Sequence, residues 1–271
     1  MRKSSVLVEY GVVRKLEPSL RTVSFLLATF IFGPALTFGF LCDRFIAQEH
    51  SANPPFIVIG FVGGFVRHDD NVHSGVQLAA RLRRDYPSGV YAEVFENRHG
   101  DQAYQQVLKL LGTNHDGKLS DEEKRGARII IYGISWGGSQ TVTLARELAA
   151  ERIPVLLTIQ VDSIAKQGQN DKTIPANVAE AVNFYQPNGL LHGEPLIQAE
   201  NPTRTRILGN YRFEYASVPY NCADYPWYDR WLTREHTQIE CDPAVWGRVE
   251  ALIRSKLPPV NSAASTQQRN H

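Results

Sequence analysis

Beyond about residue 54 the chain alternates between short apolar runs and longer amphipathic stretches. Phe56–Phe61 (FIVIGF), Val90–Phe95, Arg128–Tyr132 (RIIIY) and Pro154–Val161 (PVLLTIQV) are short and rich in β-branched residues, the pattern of buried strands. Between them, Val76–Tyr86, Gln102–Leu111 and Gly138–Ala150 carry one apolar and one polar face, the pattern of surface-packed helices. Pro175 stands where a helix through Tyr185 would begin, a strand is expected between Arg206 and Tyr215, and Ala244–Leu257 reads as a closing amphipathic helix. Strands that alternate with helices predict an α/β fold: a mainly parallel sheet flanked by helices on both faces, over residues 54–257.

The N-terminal pattern differs. Thr22–Cys42 runs without a charge, and as a helix it would be about 31 Å long, close to the hydrocarbon thickness of a bilayer. Arg2, Lys3, Arg14, Lys15 and Arg21 precede it, and this bias predicts a cytoplasmic basic segment (1–21), an N-terminal hydrophobic anchor helix (22–42) and an exported remainder. The run exceeds an ordinary signal h-region and no small-x-small site follows it, which favours a retained transmembrane or signal-anchor helix over a cleaved signal and a secreted product. Residues 43–53 then form a linker. The polar stretch 258–271 is expected to be a disordered tail.

Composition adds little to this. With 29 Lys+Arg against 28 Asp+Glu the net charge is +1, and no basic block is interleaved with aromatics, so nucleic acid is not an expected partner. Of the three cysteines, Cys222 and Cys241 are either a disulfide, as an exported domain would allow, or two free thiols.

Chemistry concentrates at Gly133-Ile134-Ser135-Trp136-Gly137-Gly138, after one predicted strand and before a predicted helix. A serine on a sharp strand-to-helix turn points its hydroxyl out of the sheet, and small residues two positions either side, here Gly133 and Gly137, let strand and helix crowd together. Ser135 is therefore the candidate nucleophile. Trp136 N–H, at the helix start, is the first candidate oxyanion donor; the second comes from the loop after Phe56–Phe61, at Val62 or Gly63.

A serine nucleophile needs a base and an acid to orient it. Of eight histidines, His99 and His115 precede the nucleophile, and His68 and His73 follow the candidate oxyanion loop and are placed to line the site. His192 lies in a Gly/Pro-rich connection read as surface or lid. His236 falls just ahead of the final helix, in a segment read as a loop, and is the candidate base. Asp162, directly after the strand Pro154–Val161, would share the C-terminal sheet edge with Ser135 and is the candidate acid; Asp171, Asp224 and Asp229 are its rivals.

With the Gly-Ile-Ser-Trp-Gly-Gly turn, the upstream Gly-Phe-Val-Gly-Gly loop, Val-Asp-Ser after the next strand and a late His-Thr, the sequence resembles the α/β-hydrolase superfamily, in particular lipase- and esterase-like bacterial members. The resemblance spans roughly residues 54–257. It implies Ser135, Asp162 and His236 as nucleophile, acid and base, no cofactor, and a small-molecule or lipid-like ester substrate. Acyl transfer or thioester cleavage on the same triad, or an inactive membrane-anchored binding domain, are the other readings. In most members the acid follows a later strand than it does here.

Two further features fit less directly. Asn114, Asp116, Ser120 and Glu123 resemble the later ligands of an EF-hand loop, but Gly112 stands where the first carboxylate belongs, so calcium binding is a weak expectation beside a plain capping box at Ser120 and Glu123. The aromatic-rich stretch Tyr211–Trp231 either walls an acyl pocket or packs the core.

Overall fold

The computed structural model describes residues 54–112, 118–215 and 220–260. The predicted anchor 22–42, its flanks, Asn114, Asp116 and the tail from 261 onward lie outside the described residues. No helix among the described residues is long and apolar enough to cross a membrane.

The order of elements is β1 (Phe56–Val62), α1 (Ser74–Asp85), β2 (Val90–Glu96), α2 (Gly100–Leu111), α3 (Asp121–Arg125), β3 (Ile129–Ile134), α4 (Trp136–Ala150), β4 (Val155–Val161), β5 (Thr173–Ile174), β6 (Val178–Tyr185), β7 (Gln198–Ala199), β8 (Arg206–Arg212), α5 (Trp227–Leu232), α6 (Arg234–Cys241) and α7 (Pro243–Arg254). Six strands form one sheet in the order β2-β1-β3-β4-β6-β8, and every neighbouring pair is parallel. β5 and β7 pair separately.

The sheet is buried because both of its faces are covered. In β1 and β3, Val58, Ile130 and Tyr132 point into a core shared with Leu78 and Leu82 of α1 and Val245, Trp246 and Val249 of α7. The alternate residues Ile57, Ile59, Ile129 and Ile131 meet Val107 and Leu111 of α2 and Leu144 and Leu148 of α4. That is the two-residue alternation of a strand with apolar side chains on both sides, which explains why these strands read as continuous apolar runs.

One predicted element is corrected. The stretch from Pro175 to Tyr185 is not a helix; Val178–Tyr185 is strand β6, held between β4 and β8. Ala181, Val182, Asn183 and Phe184 are buried in succession, which a sheet with two covered faces accommodates and an amphipathic surface helix does not. Pro175 shapes the turn before the strand, its carbonyl accepting from Val178 N at 3.1 Å.

After β1 the chain crosses to β2 on one side and returns to β3 on the other. The carboxyl ends of β1 and β3 therefore feed loops that diverge, leaving a crevice between them where parallel-sheet proteins bind ligands.

Candidate functional site

Ser135 occupies that crevice at the end of β3. Its backbone lies at φ 56°, ψ −128°, outside the regions an L-residue ordinarily adopts, and it caps the N-terminus of α4. Ties on both sides hold it there: Ser135 N donates to Val161 O at 3.0 Å, and its carbonyl accepts from Gly138 N at 2.9 Å and Ile164 N at 3.1 Å. The flanking glycines are sterically required. A Cβ at Gly133 would run into the Gly137 carbonyl, and one at Gly137 into the Phe61 carbonyl of β1.

The loop after β1 approaches Ser135 from the other side. A Cβ on Gly63 would stand 2.7 Å from Ser135 Cβ and 3.4 Å from its Oγ, so position 63 admits backbone only. Val62, the other residue expected there, is the buried last residue of β1. Asn97 Nδ2 donates to Gly64 O at 2.6 Å and fixes this loop, while Lys166 Nζ donates to Asn97 O at 3.0 Å. Trp136 is the first residue of α4, where a backbone N–H has no acceptor within the helix and the positive end of the helix dipole lies.

Asp162 follows β4 directly and is wholly buried, with φ 42°. Four donors surround its carboxylate. Oδ1 accepts from Gln186 N at 3.1 Å and Gly193 N at 2.8 Å; Oδ2 accepts from Gln186 Nε2 at 2.9 Å and faces His236 Nδ1 at 2.6 Å. In the neutral ring, the tautomer that donates from Nδ1 to this carboxylate leaves Nε2 its lone pair. Of the rivals, Asp171 accepts from Ser163 Oγ at 2.6 Å and Asp224 is exposed; Asp229 lines the same cavity as His236, whose Nδ1 pairs with Asp162.

His236 lies in the first turn of helix α6, which corrects the expected loop; α6 is a separate helix ahead of the closing one, and with Ile239 its one buried hydrophobic side chain it leaves no apolar stripe to read in the sequence. Burial works against its imidazolium, but the hydrogen bond and charge of Asp162, with Glu240 and Asp229 behind, outweigh it, so the pKa rises above 6.5.

Two contributors to the site were not found in the sequence. Gln186 stands just before the connection NGLLHGEP, read as surface or lid, and Gly193 lies within it, yet that segment folds back over Asp162: Gln186 Nε2 also donates to Leu191 O at 2.8 Å, and a Cβ on Gly193 would stand 2.5 Å from Asp162 Cα. His192 within it is exposed. A glutamine just past a strand and a glycine in a loop give no sequence signal of this use.

Ser135, Trp136, Gly63 and His236 line one cavity of about 620 Å³. Phe65, which is 83% exposed, with Leu191 and Tyr228, forms an apolar part of its wall; Asp70, His73, Asp229 and Glu240 form a charged part. Of the aromatic stretch Tyr211–Trp231, Tyr228 thus reaches the cavity, whereas Tyr215 and Tyr225 are buried.

Cys222 and Cys241 are joined, with Cα atoms 5.8 Å apart. Ser120 and Glu123 form the capping box of α3: Ser120 N donates to Glu123 Oε2 at 2.8 Å and Glu123 N to Ser120 Oγ at 3.2 Å. Among the described residues no cluster of three or more His, Cys, Asp or Glu is arranged to hold a metal.

No protein-family model matches the chain, and no curated protein does. Solved structures similar to it include a cutinase-like protein from Cryptococcus sp., at 12% identity and TM-score 0.42, over 76% of this chain and 96% of that one. Esterase LipW from Mycobacterium marinum is 15% identical at TM-score 0.28, over 42% of this chain and 37% of LipW. ClbQ from the colibactin NRPS/PKS pathway is 10% identical at TM-score 0.34, over 74% and 98% of the two chains. At similarity this low the fold rests on the strand order above, not on these likenesses.

Proposed function

We propose that the protein is a serine hydrolase of the α/β-hydrolase type that cleaves carboxylic esters through an acyl-enzyme. The observation that carries this reading is the meeting, at one cavity, of a serine on a strained strand-to-helix turn and a histidine whose Nδ1 is held 2.6 Å from a fully buried carboxylate. In this reading His236 Nε2 takes the Ser135 hydroxyl proton as Oγ attacks the ester carbonyl. Asp162 fixes the ring's tautomer and stabilises the imidazolium, which then protonates the leaving alcohol. Trp136 N–H and a backbone N–H of the Gly63 loop, with Val62 the alternative, would receive the oxyanion. Water, deprotonated by the same histidine, releases the acid.

A cavity of about 620 Å³ suits a small organic substrate, and Phe65, Leu191 and Tyr228 give it an apolar wall suited to an acyl chain or lipid-like ester. We further place this domain on the exported side of a membrane, held by the segment Thr22–Cys42; the Cys222–Cys241 disulfide supports an oxidising compartment.

A fluorophosphonate probe tests the chemistry. The full-length protein is expected to be labelled at Ser135, with Ser135→Ala unlabelled and His236→Ala strongly slowed. A folded wild-type protein that takes up no probe would refute the hydrolase reading. A series of p-nitrophenyl esters of increasing chain length then reads the acyl preference.

A further inference from the structure

The cavity holds a second histidine–carboxylate pair, His73 and Glu240, unused by the chemistry above. His73 is 6% exposed; its Nδ1 lies 2.5 Å from Glu240 Oε1, its Nε2 3.8 Å from Asp70 Oδ2, and its ring meets Tyr225 edge-on with centroids 5.2 Å apart. His73 belongs to the junction between the β1 loop and α1, and Glu240 to α6, so the pair joins segments 167 positions apart.

What the pair holds is the helix that carries His236. α6 is eight residues long, too short to be stable by itself. Its sequence Arg-Glu-His-Thr-Gln-Ile-Glu-Cys offers one buried hydrophobic side chain, Ile239, and a single apolar contact does not fix a helix's rotation about its axis. Polar and covalent ties must do so. Thr237 Oγ1 donates to Asp229 O at 3.0 Å, Cys241 is bonded to Cys222, and Glu240 is paired to His73. Of these, Glu240 stands four residues after His236 and shares its helical face. Tilting or turning α6 at Glu240 moves the imidazole relative to Ser135.

We propose that His73 and Glu240 act as a positioning pair that sets the orientation of α6 and so the placement of His236 against Ser135. This rests on the reading of Ser135 and His236 as nucleophile and base. Neither His73 nor Glu240 takes part in a bond-making step; the pair acts through the base.

Charge gives the pair a second, separable signature. The groups facing His236 are Asp162 from the end of β4, Asp229 from α5 and Glu240 from its own helix; His73 is faced by Glu240, Asp70 and Asp229. Each of these carboxylates favours the imidazolium form of the ring it faces. Removing the charge of Glu240 while keeping its size lowers the affinity of His236 for its proton, and the active, neutral base then persists to lower pH.

The test uses the full-length protein, with fluorophosphonate labelling of Ser135 and steady-state ester hydrolysis across pH. Glu240→Leu and His73→Leu should each lower kcat between about tenfold and a hundredfold, as expected for a base displaced by about an ångström, with KM changing far less. The double variant should be no worse than either single one, since both remove the same tie. Glu240→Gln keeps an oxygen that accepts from His73 Nδ1, and should recover most of kcat while the acidic limb of kcat/KM moves to lower pH. Losses that multiply in the double variant, or leucine variants labelled at the wild-type rate, would overturn the positioning role. Should the leucine variants fail to fold, Glu240→Ala decides: labelling of Ser135 at the wild-type rate also overturns it. Wild-type protein that takes up no probe refutes the hydrolase reading itself, and this proposal with it; wild-type labelling with unaffected variants refutes the positioning role alone.

Discussion

At the scale of single residues, the acid–base pair makes the sharpest demands. Asp162 is wholly buried, and its two oxygens are satisfied because four donors converge on them, His236 among these. Asp162→Asn preserves the shape but presents an amide that can turn a donor toward Nδ1, favouring the wrong tautomer. The expected loss is about four orders of magnitude in kcat, read by ester hydrolysis, with little change in KM. The wild-type pH profile carries its own signature. Because the pKa of His236 lies above 6.5 and the base works only when neutral, kcat/KM should climb with pH through an apparent pKa above that value. A limb at or below 6.5 would contradict the electrostatics described for the pair.

At the scale of elements, packing around the serine turn leaves no slack. Gly137→Ala would press a methyl group against the Phe61 carbonyl of β1, and separating α4 from the sheet should cost about 1–3 kcal/mol, read as a lower denaturation midpoint together with slower probe labelling. This turn was legible in the sequence because its demand is local: strand, small residue, serine, small residue and helix follow one another within a few positions. The strands β1, β3 and β4 were legible for a related reason, since a strand covered on both faces must be apolar at successive positions. β6 obeys the same rule, but its Pro175 and alanines imitate a helix start, and only the pairing with β4 and β8 resolves it. α5 and α6 were hidden because tertiary ties, not an apolar stripe, hold them. The cradle of Asp162 was equally hidden: Gln186 and Gly193 contribute a side-chain amide and two backbone N–H groups, and a backbone donor leaves no mark on residue identity.

At the scale of the whole molecule, the parallel sheet gathers the site at one edge. Ser135, Asp162 and Gln186 follow the ends of β3, β4 and β6, and Gly63 follows β1. His236 alone arrives on a helix that no strand positions. The disulfide therefore matters more to function than its place outside the sheet suggests: it closes a loop of 19 positions and anchors the far end of α6. Cys222→Ser with Cys241→Ser should lower stability by about 3 kcal/mol, the chain-entropy value for a loop of that length. The sheet would survive that change, because its cores on both faces hold no cysteine besides. Loosening should instead concentrate in the segment from residue 220 to α6. Hydrogen exchange resolves the two outcomes: faster exchange confined to residues 220–241, with slower labelling of Ser135, fits an α6 held by its ties. Uniform acceleration through β1, β3 and β4 would mean that the disulfide stabilises the domain as a whole and leaves the base no more dependent on it than any other residue.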